Sequence, residues 1–285
     1  MRRIGSFPVN VLRMIVAAVL FVGLSLVRSG HWVPQGQPAF VWRELALSGL
    51  VGFVIGDLML FHAFLLLGGR LAMLIYSLVP AMTALGGLLF LNERIRPLGL
   101  VGMALTTVGI AAAVAGKRNL APVAGGSPKV GIWLAIGGSA GQAAGLLLGK
   151  HGASTLDAFA ATEIRVLAGL TGFLLVAVLS RQVIPVVRAV AIAFAARQEE
   201  RAERVRNHRI ALLMLVIGGL FGPFLGVSLG LLSVQLLPAG IASTLMALVP
   251  VLMIPVSAIV FHERVTRIEI AGTLVALFGV GLLVL

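Results

Sequence analysis

The residues best able to do chemistry in this 285-residue chain are those that interrupt its apolar runs. Asp57 stands inside an uncharged stretch, and His62 follows five residues later. At 100° per residue of α-helix the two side chains diverge by about 140° around the axis, so they cannot both face one point squarely. Asp57 is the stronger candidate. A carboxyl in hydrocarbon, where charge is costly, is suited to trading a proton against a substrate, or it stays neutral and hydrogen-bonded to a neighbouring helix. Either reading makes Asp57 and His62 the first residues to locate.

Other polar residues rank below these two. Glu163 and Arg165 open an apolar stretch, and Arg13 begins another; near a membrane interface such arginines snorkel towards water. Glu93-Arg94 and Glu263-Arg264 close two stretches in matching fashion, which suggests folding and gating rather than substrate contact. Pro80 and Pro250, read as lying inside helices, deprive the carbonyls of Tyr76 and Met246 of their usual donors and predict two equivalent kinks. Freed backbone is tolerated where it faces protein or a wet cavity. Tyr76, Ser243, Thr244 and Met246 therefore become cavity candidates, with Gln142, Ser228, Ser233 and Gln235 added on polarity alone. Pro223 and Pro255 predict further breaks only in the second half. No metal-ligand cluster, cofactor motif or P-loop is apparent, and with no cysteine there is no thiolate ligand or nucleophile.

One motif imitates an enzyme. Gly137-Gly138-Ser139-Ala140-Gly141 fits the G-x-S-x-G pattern of serine hydrolases, which requires a strand-to-helix turn and a partner His and acid. Here it lies within an apolar stretch in which Gly137, Gly141, Gly145 and Gly149 recur every fourth residue, the mark of close helix packing. An intramembrane hydrolase using Ser139 with His62 or His151 is thus the weaker alternative, and no enzymatic activity is expected. Met1-Arg2-Arg3 and the apolar run behind it imitate a signal peptide.

The elements that must hold these residues follow from composition. Hydrophobic residues make up 59% of the chain and charged ones 11%, with a mean hydropathy of +1.09. A soluble domain carries about a quarter charged residues, so the bilayer is the solvent. Long uninterrupted apolar stretches exclude a transmembrane β-barrel, whose strands alternate. The net charge of +12 sits between apolar segments, which makes it a topology signal and not a nucleic-acid footprint. Uncharged stretches predict nine membrane helices, over 11–27, 45–67, 71–91, 98–116, 130–149, 158–180, 210–236, 239–261 and 268–285.

The chain repeats itself. A shift of 170 residues aligns Gly49 through Ala115 with Gly219 through Leu285 without a gap. Gly49, Gly52 and Gly56 fall on Gly219, Gly222 and Gly226; Leu78-Val79-Pro80 on Leu248-Val249-Pro250; Glu93-Arg94 on Glu263-Arg264; Gly102 and Gly109 on Gly272 and Gly279. A second shift, of 152, places Phe7, Arg13 and Phe21 on Phe159, Arg165 and Phe173. The difference is an insertion at 181–209, read as an apolar interfacial helix running into a basic one. Two repeats result, over 1–116 and 130–285. The helix at about 130–149 has no first-half counterpart after Met1, so the complete fold is expected to have ten helices. A five-helix unit is odd, and its second copy must cross the bilayer in the opposite sense.

This paired pattern resembles the EamA family of the drug/metabolite transporter superfamily. The resemblance implies an all-α integral membrane protein of two inverted units that moves small organic metabolites, often outwards, by alternating access. Proton or ion coupling is implied by analogy, and translocation of a lipid-linked group is the alternative transport reading. Lysines and arginines divide fifteen to five between the two sides, which puts residues 1–10 in the cytoplasm and the C-terminus outside. The expected partners are a small-molecule substrate and membrane lipid, with a homodimer compatible and nucleic acid excluded. The expected location is the inner (plasma) membrane of a bacterium, as a multi-pass protein.

Overall fold

The computed structural model describes residues 6–116, 127–180, 213–249, 251–252, 259 and 265–284, and no strand occurs among them. Pro250, Glu263, Arg264 and the insertion at 181–209 lie outside the described residues. The chain is all-helical, with α1 Ser6–Ser29, α2 Ala39–Gly49, α3 Asp57–Tyr76, α4 Val79–Phe90, α5 Pro97–Gly116, α6 Pro128–Gly152, α7 Ala158–Leu179, α8 Val227–Leu236, α9 Ala239–Met246 and α10 Arg267–Val284. Two π-helical segments, Leu50–Gly56 and Leu220–Gly226, lead into α3 and α8. Seven helices among the described residues are long and apolar enough to span a bilayer. Exposed Phe90, Val108, Leu179 and Phe278 mark outer faces suited to lipid.

Local rules explain several boundaries. The second span starts at Ala39, before the charged Arg43 and Glu44, which pair at 3.3 Å. Charge was read as the end of the apolar stretch, but an exposed arginine in a first turn does not stop a helix. The break before the third span falls at Gly68, whose φ of 76° and ψ of 159° only glycine adopts cheaply. Asp157 caps α7 by accepting from Ala160 N. Thr266 and Glu269 bond each other's backbone N–H at the start of α10, a reciprocal capping box.

Pro80 departs from its expected position. Helix α3 ends at Tyr76, Ser77 and Leu78 form a turn, and Pro80 lies in the first turn of α4, where its missing N–H costs nothing. The kink inside a helix is replaced by a break. Ser77 N donates to Met73 O and Leu78 N to Ile75 O, each at 3.0 Å. Ala247 N and Leu248 N do the same to Ser243 O and Leu245 O, 170 residues later, at 2.9 and 3.2 Å.

The described chain forms two compact units. One holds 6–50, 152–180 and 213–232; the other holds 51–116, 127–151 and the described residues from 233 onward. In the first unit, α1 and α2 pack on α7, and α1 packs on the π-helical segment Leu220–Gly226. A Cβ at Gly49 would strike the carbonyl of Arg165, and one at Gly219 would strike Val16 and approach the carbonyl of Arg13. These approaches are images of each other under the two shifts. In the second unit α5 and α10 cross antiparallel: a Cβ at Gly109 would meet Gly272 O and Ala276 N, and one at Gly279 would meet Gly102 O and Thr106 N. Small residues are what permit this, because lipid supplies no hydrophobic drive between helices and close backbone packing must supply the attraction.

Candidate functional site

In the second unit Asp57 meets Gln142. Gln142 Nε2 donates to Asp57 Oδ1 at 2.6 Å and to Gly52 O at 3.1 Å. Both amide hydrogens of Gln142 are thereby directed at one place, the π-helical turn and the carboxylate that follows it. A π turn carries one extra residue, so a backbone carbonyl there loses its regular helical donor and opens to a side chain. Glycine makes the approach possible. A Cβ at Gly141 would lie 2.9 Å from Gly56 Cα, and one at Gly137 would overlap Met59. The glycine stripe of α6 is thus a packing seam against Leu50–Gly56 and α3.

Tyr76 is half-buried and interacts electrostatically with Asp57. Ser139, one turn before Gln142 on α6, donates to Ala135 O at 2.8 Å and to Ile75 O at 3.4 Å, which ties α6 to the end of α3 beside Tyr76. Ser139 is fully buried and its hydroxyl is directed at backbone carbonyls. His62 is exposed, and its ring nitrogen Nδ1 lies 3.3 Å from Leu58 O on its own helix. The divergence expected from helical geometry separates it from Asp57.

The remaining candidates do not join this centre through any printed bond. Ser243 and Thr244 are buried and return their hydroxyls to Gly240 O at 3.0 and 2.7 Å. Met246 is 37% exposed, with Ser233 Oγ 3.9 Å from its sulfur. Glu93 has a different role: its Oε1 pairs with Lys150 Nζ at 2.6 Å and its Oε2 accepts from Ala239 N, the first residue of α9, at 2.7 Å. Lys150 Nζ also donates to Leu237 O at 2.6 Å. Sequence reading placed Glu93 at a helix end correctly but missed Lys150, whose position at the end of α6 was the available signal. Arg94 is half-buried next to it, with no printed bond.

Two arginines require correction. Arg165 is 3% exposed and Arg13 is half-buried with Nε donating to Gly218 O at 3.1 Å, so neither snorkels to water. Each lies where its helix packs against the glycines of a partner, Gly49 for Arg165 and Gly218, Gly219 and Gly222 for Arg13. Proximity to a span's predicted end misled the reading.

The profile of the EamA-like transporter family matches residues 1–115 and 129–285. The chain belongs to this family. A solved structure titled only as a crystal structure of a protein is similar at a TM-score of 0.70 and 18% identity, over 99% of this chain and 89% of its own, which extends to the fold alone. No curated protein sequence matches. As an EamA-like protein the chain is a multi-pass membrane transporter of small molecules, and Ser139 and its glycines belong to a transporter's helix packing.

Proposed function

We propose that this EamA-like transporter moves a small organic metabolite across the cell membrane by alternating access between two inverted repeats, 1–116 and 130–285, with proton movement coupled at Asp57. The observation that carries the reading is the bond of Asp57 to Gln142 at an irregular turn within a span. An aspartate at a helix centre costs about 2.5 to 3.5 kcal/mol on insertion scales, and here it is held by a neutral amide instead of a fixed cation. Such a partner stabilises the carboxyl without locking it ionised. Tyr76 and the broken backbone at Ser77 and Leu78 bring further polar groups to the same end of α3.

The repeat architecture is supported by the matched details 170 residues apart: π-helical turns at 50–56 and 220–226, the breaks after Tyr76 and Met246, and the reciprocal crossing of α5 with α10. Inverted halves of this kind rock about a shared site near the midplane. The test is transport by proteoliposomes containing only this chain, screened against amino acids, nucleobases and organic cations under an imposed pH gradient. Flux that follows the gradient and disappears in Asp57→Asn supports the reading. Flux that is unchanged in Asp57→Asn removes proton coupling at this residue.

A further inference from the structure

Away from Asp57, the first unit encloses a cavity of about 680 Å³, with Phe21, Ser25 and Glu163 at its floor and Arg28, His31 and Asp157 at its mouth. That volume lies within the range of small-molecule sites. Glu163 is 1% exposed. Ser25 Oγ donates to its Oε2, and Oε1 has no hydrogen-bond partner among the described residues. Arg165 is two residues further along α7, about 200° around the axis, and so leaves towards another face. A buried carboxyl with one bare oxygen is costly to hold unless something fills the space before it.

The mouth is built to be displaced. Arg28 and Asp157 pair at 3.5 Å while remaining 59% and 54% exposed, a pair of little intrinsic worth. Arg28 also stands over Phe159, its guanidinium carbon 5.9 Å from the ring centroid. Phe159 and Phe21 both pack on Phe224, at 5.8 and 4.6 Å between centroids, so the aromatic walls are braced from behind. A cationic side chain resting on an aromatic face above a buried carboxyl marks the position a ligand's cation would take.

We propose that this cavity binds a small molecule carrying a primary ammonium group on an apolar or aromatic body. The ammonium donates to Glu163 Oε1, and the body lies against Phe21 and Phe159. Arg28 is then a competitor at the mouth, and Asp157 offsets its charge. Every residue involved belongs to the first unit, so the site goes beyond the Asp57 reading and stands if that reading fails.

The experiment is calorimetric titration of the purified full chain in nanodiscs with phenethylammonium and with its neutral analogue 2-phenylethanol. The ammonium is expected to bind at least about tenfold more tightly, since only it supplies a charge-assisted bond to the carboxyl. Glu163→Gln is expected to erase that preference. Arg28→Gln, a change at an exposed position, is expected to tighten ammonium binding about threefold or more, and Asp157→Asn to weaken it. Absence of ammonium binding, equal affinity for the two probes, an unchanged preference in Glu163→Gln or weaker binding in Arg28→Gln would each overturn the proposal. So would binding that is kept in Glu163→Gln and lost in Asp57→Asn, which would assign it to the other centre.

Discussion

The two π-helical turns share a backbone and differ in chemistry. Leu50–Gly56 and Leu220–Gly226 occupy equivalent places in the two repeats. The first is followed by Asp57 and receives the amide of Gln142; the second is followed by Val227 and lies beneath the guanidinium of Arg13, which a Cβ at Gly222 would strike. Their origins differ too. Pro223 is buried within the second turn and lacks the N–H that a regular helix would need, which accounts for the irregularity there. Phe53 holds the equivalent place in the first, so a proline is not required. What the two turns share is glycine at both equivalent positions, 52 and 56 against 222 and 226, and a polar donor from a neighbouring helix. Duplication preserved the irregular backbone, and only one copy carries an ionisable group.

The largest expected effect tests that asymmetry. Exchanging the carboxyl between turns, Asp57→Val with Val227→Asp, should reduce gradient-driven flux in proteoliposomes to the level of empty vesicles, because the second turn presents Arg13 where the first presents Gln142. Active transport by the exchanged protein would show the turns to be interchangeable. Packing separates the copies next. Gly49 faces the backbone carbonyl of Arg165, which cannot move away, whereas Gly219 chiefly faces the side chain of Val16. Gly49→Val should therefore lower the melting temperature in detergent far more than Gly219→Val, whose cost should stay within the roughly 1 to 3 kcal/mol of ordinary overpacking.

Smaller effects compare the donors. Gln142→Leu leaves Asp57 Oδ1 and Gly52 O without this partner and should destabilise by about 1 to 3 kcal/mol, while Arg13→Leu removes one printed bond and should cost about 1 kcal/mol. Thermal unfolding of both variants in one detergent reads the difference, and a reversed order would break the comparison. The least effect belongs to His62→Ala. Exposed and bonded only to its own helix, His62 should contribute within about 0.5 kcal/mol to stability, and initial transport rates should stay within about twofold of the parent chain.

Much of this was readable from residue spacing. Asp57 was conspicuous because charge is rare in a bilayer, and its separation from His62 followed from helical angle alone. The glycine stripe of α6 was legible as packing because every fourth residue shares a face. The π turns were not legible: nothing in hydropathy distinguishes hydrogen bonds that run five residues back from those that run four. Pro80 misled for a related reason, since a proline within an apolar run reads as a kink whether it sits inside one helix or opens the next. Arg13 and Arg165 were misjudged because nearness to a span's end says nothing about which neighbour covers the side chain. The cavity before Glu163 was invisible, since its lining comes from α1, the following loop and α7, more than a hundred residues apart.

The sequence by itself determined that the chain lives in a bilayer, that it is helical, and that its halves repeat at a shift of 170, because these depend on residue type and periodicity along one dimension. Only the tertiary structure decided which polar groups meet. Asp57 found Gln142, Glu93 found Lys150 and Ala239 N, and Glu163 kept one oxygen facing open space. The reason is physical: in lipid, helices approach by the fit of small residues, so partners are chosen by which glycines let two backbones touch, and that is a property of two surfaces together.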